Sequence, residues 1–350
     1  MSQQANSVRL DFLRASLVVT LLALLLRFWL LQRLFASPFF NPIPVGNDRS
    51  LYAAIAQQVA AGQWFPAGSF EYLPLYGWIL GIFQWLFGRG FLYAAGLAGC
   101  LLDAATTWLI MRIARSAGAR PWSAIATGLL YAAYPLAAVY STVGMPNSLN
   151  AFLLLAFAFT AFKLQPKSPP WQWLLIGLLA GVATLGFAGM LAVIAGCLLF
   201  WLLAGFRNPL CLGLFLLGVL LPIAPVTAHN WKAERQVILI SAHGGFNFYL
   251  GNHEGATGYP VQTQGFRGDG GSMLADAHAE AERVTGRTLS ASEASDYWAR
   301  KAWTFIREHP GRELKLLGLK WMRFWTRVEY DDMRLLPMLI LSDVLPRHAG

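Results

Sequence analysis

Acid–base chemistry needs a carboxylate, and the first 228 residues offer only four: Asp11, Asp48, Glu71 and Asp103. Asp11 lies between Arg9 and Arg14 and reads as a solvated charge. Asp103 and Arg27 fall inside long apolar runs, where an ion is costly and therefore either functional or paired. A buried Arg27–Asp103 pair and a substrate contact are both open, and the pair requires the two runs to touch. Asp48 stands in GNDRSLYAAIAQQVAAGQWF, where Tyr52, Ile55, Val59 and the alanines recur at helical spacing. That spacing predicts a short amphipathic helix starting just after Asp48 and ending at Gly62. The position suits an N-cap, and equally a carboxylate held at the bilayer surface beside an aromatic-rich helix. Glu71, in SFEYLPLYGWIL, precedes Pro74, which stiffens the entry to an apolar helix. By itself it reads as a solvated loop charge or as a second acid on the same side.

Farther along, His229, Arg235, His243 and His253 lie close to Gly244, Gly245, Gly251 and Gly255. Arginine, imidazole and backbone N–H groups in a glycine turn would meet an anionic ligand; a tight β-turn with surface histidines explains them as well. The chain has no P-loop, HExxH, GxSxG or CxxC motif, so nucleotide, zincin and serine-hydrolase chemistries find no support. Cys100, Cys197 and Cys211 all lie in apolar runs and form neither a disulfide framework nor a zinc spacing.

The elements that must carry these residues are set by composition. Of 350 residues, 56% are AVILMFWYC and 13% are charged, with 14 Trp and 23 Phe. A soluble chain carries about 25% charge, so these figures exclude disorder and an ordinary soluble enzyme and indicate a polytopic α-helical membrane protein. Residues 1–228 hold 12 Lys and Arg against 4 Asp and Glu, whereas 229–350 hold 15 against 14. The cations of the first part sit in short loops between apolar runs, which argues for cytoplasmic-loop bias and against a nucleic-acid partner.

A spanning helix needs about 20 apolar residues. Seven spans are expected, at 15–36, 90–111, 122–141, 148–164, 171–187, 188–206 and 209–228, with the glycines of TLGFAG turning the chain between the fifth and sixth. Leu75–Gly88 is apolar but short, and reads as an interfacial or re-entrant helix within the first outer loop, 37–89. With that segment outside, Arg9, Arg14, Arg112, Arg115, Arg120, Lys163, Lys167 and Arg207 all face the cytoplasm, while the outer segment 142–147 holds no cation. The N-terminus is then cytoplasmic and 229–350 is extracytoplasmic. The first run carries Arg27 and ends in LFASPFF, and reads as a retained anchor helix.

The outer region, 229–350, reads as a small α+β unit. QVILIS is β-rich and HGGFNFYLGN a glycine turn; helices are expected over 273–285, over SASEASDYWARKAWTFIREHP with Ser290 and Glu293 as a capping box, and from Gly311 to about Val328. The last of these combines aromatic and cationic residues in a way that suits a membrane interface. LLPMLILSDVL, interrupted by Pro337 and Asp343, is too short to span.

In this order, the pieces resemble the GT-C glycosyltransferases of the protein O-mannosyltransferase and aminoarabinose-transferase type, glycosyltransferase family 39 and its relatives. The resemblance is carried by one span, then Asp48, Tyr52, Ala56 and Gly62, then LPLYGWILGIFQWLFG and IMRIARSAGARP. It continues in HNWKAERQVILISAHGGFNFYLGN and YWARKAWTFIREHPGRELKLLGLKWMRFWTRVEY. It implies a module of about seven transmembrane helices in a bacterial inner membrane. The implied reaction is an inverting transfer from a polyprenyl-phosphate sugar to a glycan, lipid or protein acceptor on the outer face. It places the family's loop aspartate on Asp48 as base and the donor-site border at Glu71, with Tyr52 beside them. Arg49, Arg235 and His243 are then expected at the lipid phosphate.

The chain departs from its relatives in two places that bear on a metal. Arg49 follows Asp48 where many have a second acid, and GMPNSLN offers Asn147 where many have an acid; no metal ligand is assigned, and a divalent cation stays open. Many relatives carry further spans after the tail, whereas LPRHAG ends this sequence, so a shortened or inactive relative, or a fragment, stays open too. The rival functions are a non-catalytic lipid-linked-sugar binder or accessory protein, and a transporter of such lipids. Transporters tend to show internal repeats, which this sequence lacks.

Overall fold

The computed structural model describes residues 3–37, 48–206, 208–259, 266 and 270–325. Fourteen α-helices appear among them: α1 (Gln3–Ala36), α2 (Asp48–Ala60), α3 (Pro74–Phe87), α4 (Phe91–Ser116), α5 (Pro121–Ala132), α6 (Pro135–Thr142), α7 (Asn147–Phe162), α8 (Pro170–Gly186), α9 (Met190–Leu203), α10 (Pro209–Glu234), α11 (Gly244–Gly251), α12 (Gly270–Thr285), α13 (Ala291–Glu308) and α14 (Pro310–Phe324). The chain is an α-helical membrane protein with, among the described residues, three stretches long and apolar enough to cross a bilayer, Leu10–Ala36, Pro74–Ser116 and Pro209–Glu234. α5 and α6 make a fourth if taken together, bent by 57°, while α7, α8 and α9 are shorter apolar helices. Among the described residues, three or four of the seven expected crossings are thus long enough by this measure.

Pro74–Ser116 is not one rod. Gly88 adopts φ +53, a conformation that ends α3, and a 3-10 turn over Gly88–Gly90 leads into α4. Tyr76 and Leu102 line the same cavity, so α3 folds back antiparallel to α4. α3 is the short apolar helix expected over Leu75–Gly88.

The bend between α5 and α6 follows from Pro135, which has no N–H to return to the preceding turn. The carbonyls left there are satisfied from α1: the Arg27 guanidinium donates to Ala132 O and, at 3.3 Å, to Tyr131 O. α8 and α10 pack through small residues, and a methyl on Gly177 would lie 2.1 Å from the Phe215 carbonyl oxygen.

The region after α10 differs from the sequence reading. Among the described residues it holds no strand, so the α+β expectation is replaced by an all-helical arrangement. Three successive carbonyls of QVILIS accept from side chains: Asn230 Nδ2 donates to Ile238 O and Ile240 O, at 3.1 and 3.0 Å, and Thr227 donates to Leu239 O at 2.7 Å. HGGFNFYLGN is a helix, α11, because Phe246 buries against Trp298 and Ala277. Ser290 and Glu293 form the expected capping box at the start of α13. LLPMLILSDVL lies outside the described residues.

Candidate active site

Asp48 is the first residue of α2, half-buried, with its carboxylate at the positive end of the helix dipole. α2 buries Arg49, Ala53, Ala56 and Val59, a stripe at helical spacing, against α3. The contact is close because α3 presents glycines: a Cβ on Gly77 would lie 2.6 Å from Ile55 Cγ2, and one on Gly81 2.2 Å from Val59 Cγ1. The packing of α2 on α3 fixes where Asp48 stands, which an N-cap role would not by itself require.

Arg49 is only 2% exposed and lies 5.9 Å from the centre of the Phe35 ring at the end of α1. Burial pulls its pKa down to about 10, and the Tyr76 phenol opposes that pull, so it remains a cation at neutral pH. Tyr52 meets Tyr76 edge-on, with ring centres 5.2 Å apart. Burial, followed by the Asp48 carboxylate, pushes the Tyr52 phenol up to about 12, so it keeps its proton and can donate a hydrogen bond. Tyr76 also lines an apolar cavity of about 300 Å³, together with Ile79, Phe83, Ala98, Leu102 and Met145. Arg49 and the Tyr52 phenol, with Asp48 beside it, therefore cluster on Tyr76, which in turn lines a space suited to hydrocarbon.

Glu71 and His243 form a second group. Glu71 is exposed, and the His243 Nδ1–H donates to its main-chain carbonyl; the Tyr72 ring lies 5.3 Å from the imidazole. Burial depresses the pKa of His243, against the Glu71 carbonyl and carboxylate, which raise it. The imidazole is thus a neutral tie between loop and tail and a poor phosphate cation. Both residues line a small cavity with Phe246, His278 and Trp298, and Glu71 also borders a cleft of about 290 Å³ with His278 and Glu282. Phe70 N–H donates to Asn230 Oδ1 at 2.9 Å, and Ala242 N–H donates to Phe70 O at 2.8 Å, completing the joint between loop and tail. Arg235 belongs to neither group: it ends α10 in the left-handed region, φ 57, with its side chain exposed.

Sequence reasoning assigned no role to Tyr76, Phe35 or Asn230. Tyr76 was signalled by LPLY, whereas Asn230 and Phe35 carry no local signal that separates them from neighbouring residues. Asn147 is exposed at the start of α7. Among the described residues no three His, Cys, Asp or Glu side chains converge as metal ligands, so no step is derived through a metal.

No curated protein and no solved structure matches the chain. A family match begins at Tyr72, after α2, and therefore leaves Asp48 outside it. Over residues 72–229, from α3 through most of α10, the chain matches the model of the dolichyl-phosphate-mannose-protein mannosyltransferase family, a GT-C glycosyltransferase family and the kind its ordered motifs resemble.

Proposed function

We propose that the chain transfers a monosaccharide from a polyprenyl-phosphate donor to an acceptor hydroxyl or amine on the extracytoplasmic face, with inversion and with Asp48 as base. The observation that carries this reading is the sequence of contacts from Asp48 to lipid-sized space: Asp48 acts on Tyr52, Tyr52 packs on Tyr76, and Tyr76 lines the apolar cavity. The prenyl chain occupies that cavity and the phosphate lies at its mouth, beside Arg49. The acceptor O–H or N–H attacks the anomeric carbon as its bond to the phosphate oxygen breaks. The bonding pair leaves with the polyprenyl phosphate, and the acceptor proton passes to Asp48. Because the leaving group is already an anion, Arg49 and the Tyr52 hydroxyl stabilise it without full protonation. Glu71 and His243 border the acceptor side through the small cavity they share with His278, and Arg235 serves as an outer guide for anionic substrate.

In this reading the N-terminus is cytoplasmic, the short helices α7, α8 and α9 cross with α1, α4, α5–α6 and α10, and 229–350 lies outside. This is the arrangement of a multi-pass protein of the bacterial inner membrane, with 1–228 as the catalytic module. The test is transfer of labelled sugar from a polyprenyl-phosphate donor in proteoliposomes. Asp48→Asn is expected to abolish transfer while donor binding persists. Unchanged transfer by Asp48→Asn overturns the assignment, and donor movement across the vesicle without any transfer replaces the enzyme by a transporter.

A further inference from the structure

α14 is amphipathic in the reverse sense to a helix on a water-soluble domain. Its inward face, against the rest of the extracytoplasmic region, is the polar one. Glu313 is buried beside Leu316, Lys320 donates to Asn252 Oδ1 at 2.7 Å, and the Arg323 guanidinium lies 4.1 Å from the centre of the Tyr259 ring. Its outward face is apolar: Leu314, Leu317, Trp321, Phe324 and Trp325 recur at three- and four-residue spacing and are between 51% and 76% exposed. No charged residue interrupts that arc, and Lys315 lies beside it. In water such a face is a large exposed patch of the kind that marks a partner.

We infer that this partner is the bilayer surface, and that α14 lies in the outer interface as a second membrane attachment of the extracytoplasmic region. The outward face repeats the chemistry of the lipid-exposed residues of α1, such as Leu17, Leu21 and Leu25. At 15 residues the helix is about 22 Å long, too short to cross and suited to lying flat. Trp321 and Trp325 are residues of the headgroup boundary. Lys315, exposed at the edge of the apolar arc, adds a charge that complements anionic headgroups. The hydrogen bond from Lys320 to Asn252 and the ion pair of Arg312 with Glu254 at 2.8 Å fasten the helix to the segment after α11, so the attachment presses that segment toward the membrane.

The experiment places a nitroxide at Trp321→Cys in the full chain, with Cys100, Cys197 and Cys211 replaced, in phosphatidylethanolamine–phosphatidylglycerol vesicles. Accessibility to oxygen and to a water-soluble nickel chelate is then measured. Leu21→Cys is the lipid reference and Arg300→Cys the aqueous one; if the cysteine-free background does not fold, a genetically encoded spin label at the same positions takes its place. The expected result is an oxygen-to-nickel ratio at 321 close to that at 21 and about tenfold above that at 300. A ratio like that at 300 overturns the inference. So does low accessibility to both reagents, which would mean that protein, residues 335–345 or a second copy, covers the face. Neither result depends on sugar transfer, so failure here is distinct from failure of Asp48 as base.

Discussion

Arg27 and Asp103, 76 positions apart, form one fully buried ion pair with Nε to Oδ2 at 2.6 Å. The second carboxylate oxygen accepts from the Tyr131 hydroxyl at 2.7 Å, and the remaining guanidinium N–H groups cap the carbonyls at the α5–α6 bend. With these groups satisfied inside the protein, the pair is structural: it holds α1, α4 and the broken helix together. Arg27→Met or Asp103→Leu alone should destabilise the protein by about 3–5 kcal/mol by leaving a buried charge unmatched. The double variant should recover most of the loss. Thermal unfolding in detergent checks both, and an equal loss in single and double variants would contradict the pairing account.

Arg49 should matter to donor affinity more than to folding. Arg49→Gln removes a desolvated cation, and donor binding should weaken by about 2 kcal/mol or more, roughly thirtyfold. The expected signature is a raised KM for the polyprenyl-phosphate sugar with a smaller change in kcat. An unaltered KM would place the phosphate elsewhere.

Filling the cavity should separate lipid binding from stability. Ala98 lines the 300 Å³ space under Tyr76, and Ala98→Phe occupies part of it with an apolar group. KM for a long-chain donor should rise about tenfold or more, with melting within a few degrees of wild type, since the space is already open. A water-soluble, short-chain donor should feel the change less, and equal effects on both donors would remove the cavity from the binding site.

The α2–α3 contact predicts a compensating pair. Gly81→Ala drives a methyl into Val59 Cγ1 and should cost about 1–3 kcal/mol, displacing α2 and with it Asp48. Val59→Gly in the same chain removes both Cγ1 and the Cβ, which would otherwise lie 2.4 Å from the new methyl, and should restore transfer and much of the melting temperature. If transfer stays low after stability returns, Asp48 depends on something other than this packing.

His243 gives a pH dependence of known sign. Burial holds its pKa in the folded chain below the ordinary 6.5, so the unfolded chain binds the proton more readily. Its stabilising contribution is complete above that ordinary value and is lost as pH falls through it toward the lowered folded value. Thermal unfolding followed from pH 8 to pH 5 should show this loss in wild type and a smaller one in His243→Gln. Identical slopes would mean that the imidazole is not buried neutral.

Much of this arrangement could be read from local sequence, where the signal is itself local. The start of α2 at Asp48 and its end before Gly62 follow from period and glycine, and the Ser290–Glu293 capping box follows from spacing. Pro135 was visible as well, yet it sits inside an apolar run long enough to read as one span, and the length outweighed the break. QVILIS misled because valine and isoleucine favour strands only when a neighbouring strand is there to pair. Here the carbonyls find Asn230 and Thr227 instead, partners on another element that no local window contains. The gathering of Arg49, Tyr52 and Tyr76 depends on α2 packing against α3, and on glycines that only a neighbouring helix makes necessary.

The Asn230 side chain, with no reactive chemistry of its own, has a mechanical consequence. It is fully buried and grips the loop before α3 at Phe70 and the tail at Ile238 and Ile240 from the end of α10. Three stretches of chain far apart in sequence are thereby riveted at one amide, so a tug on the tail is felt one residue from Glu71. Any displacement of the tail is thereby passed on to the loop, and the rivet sets how much of it arrives.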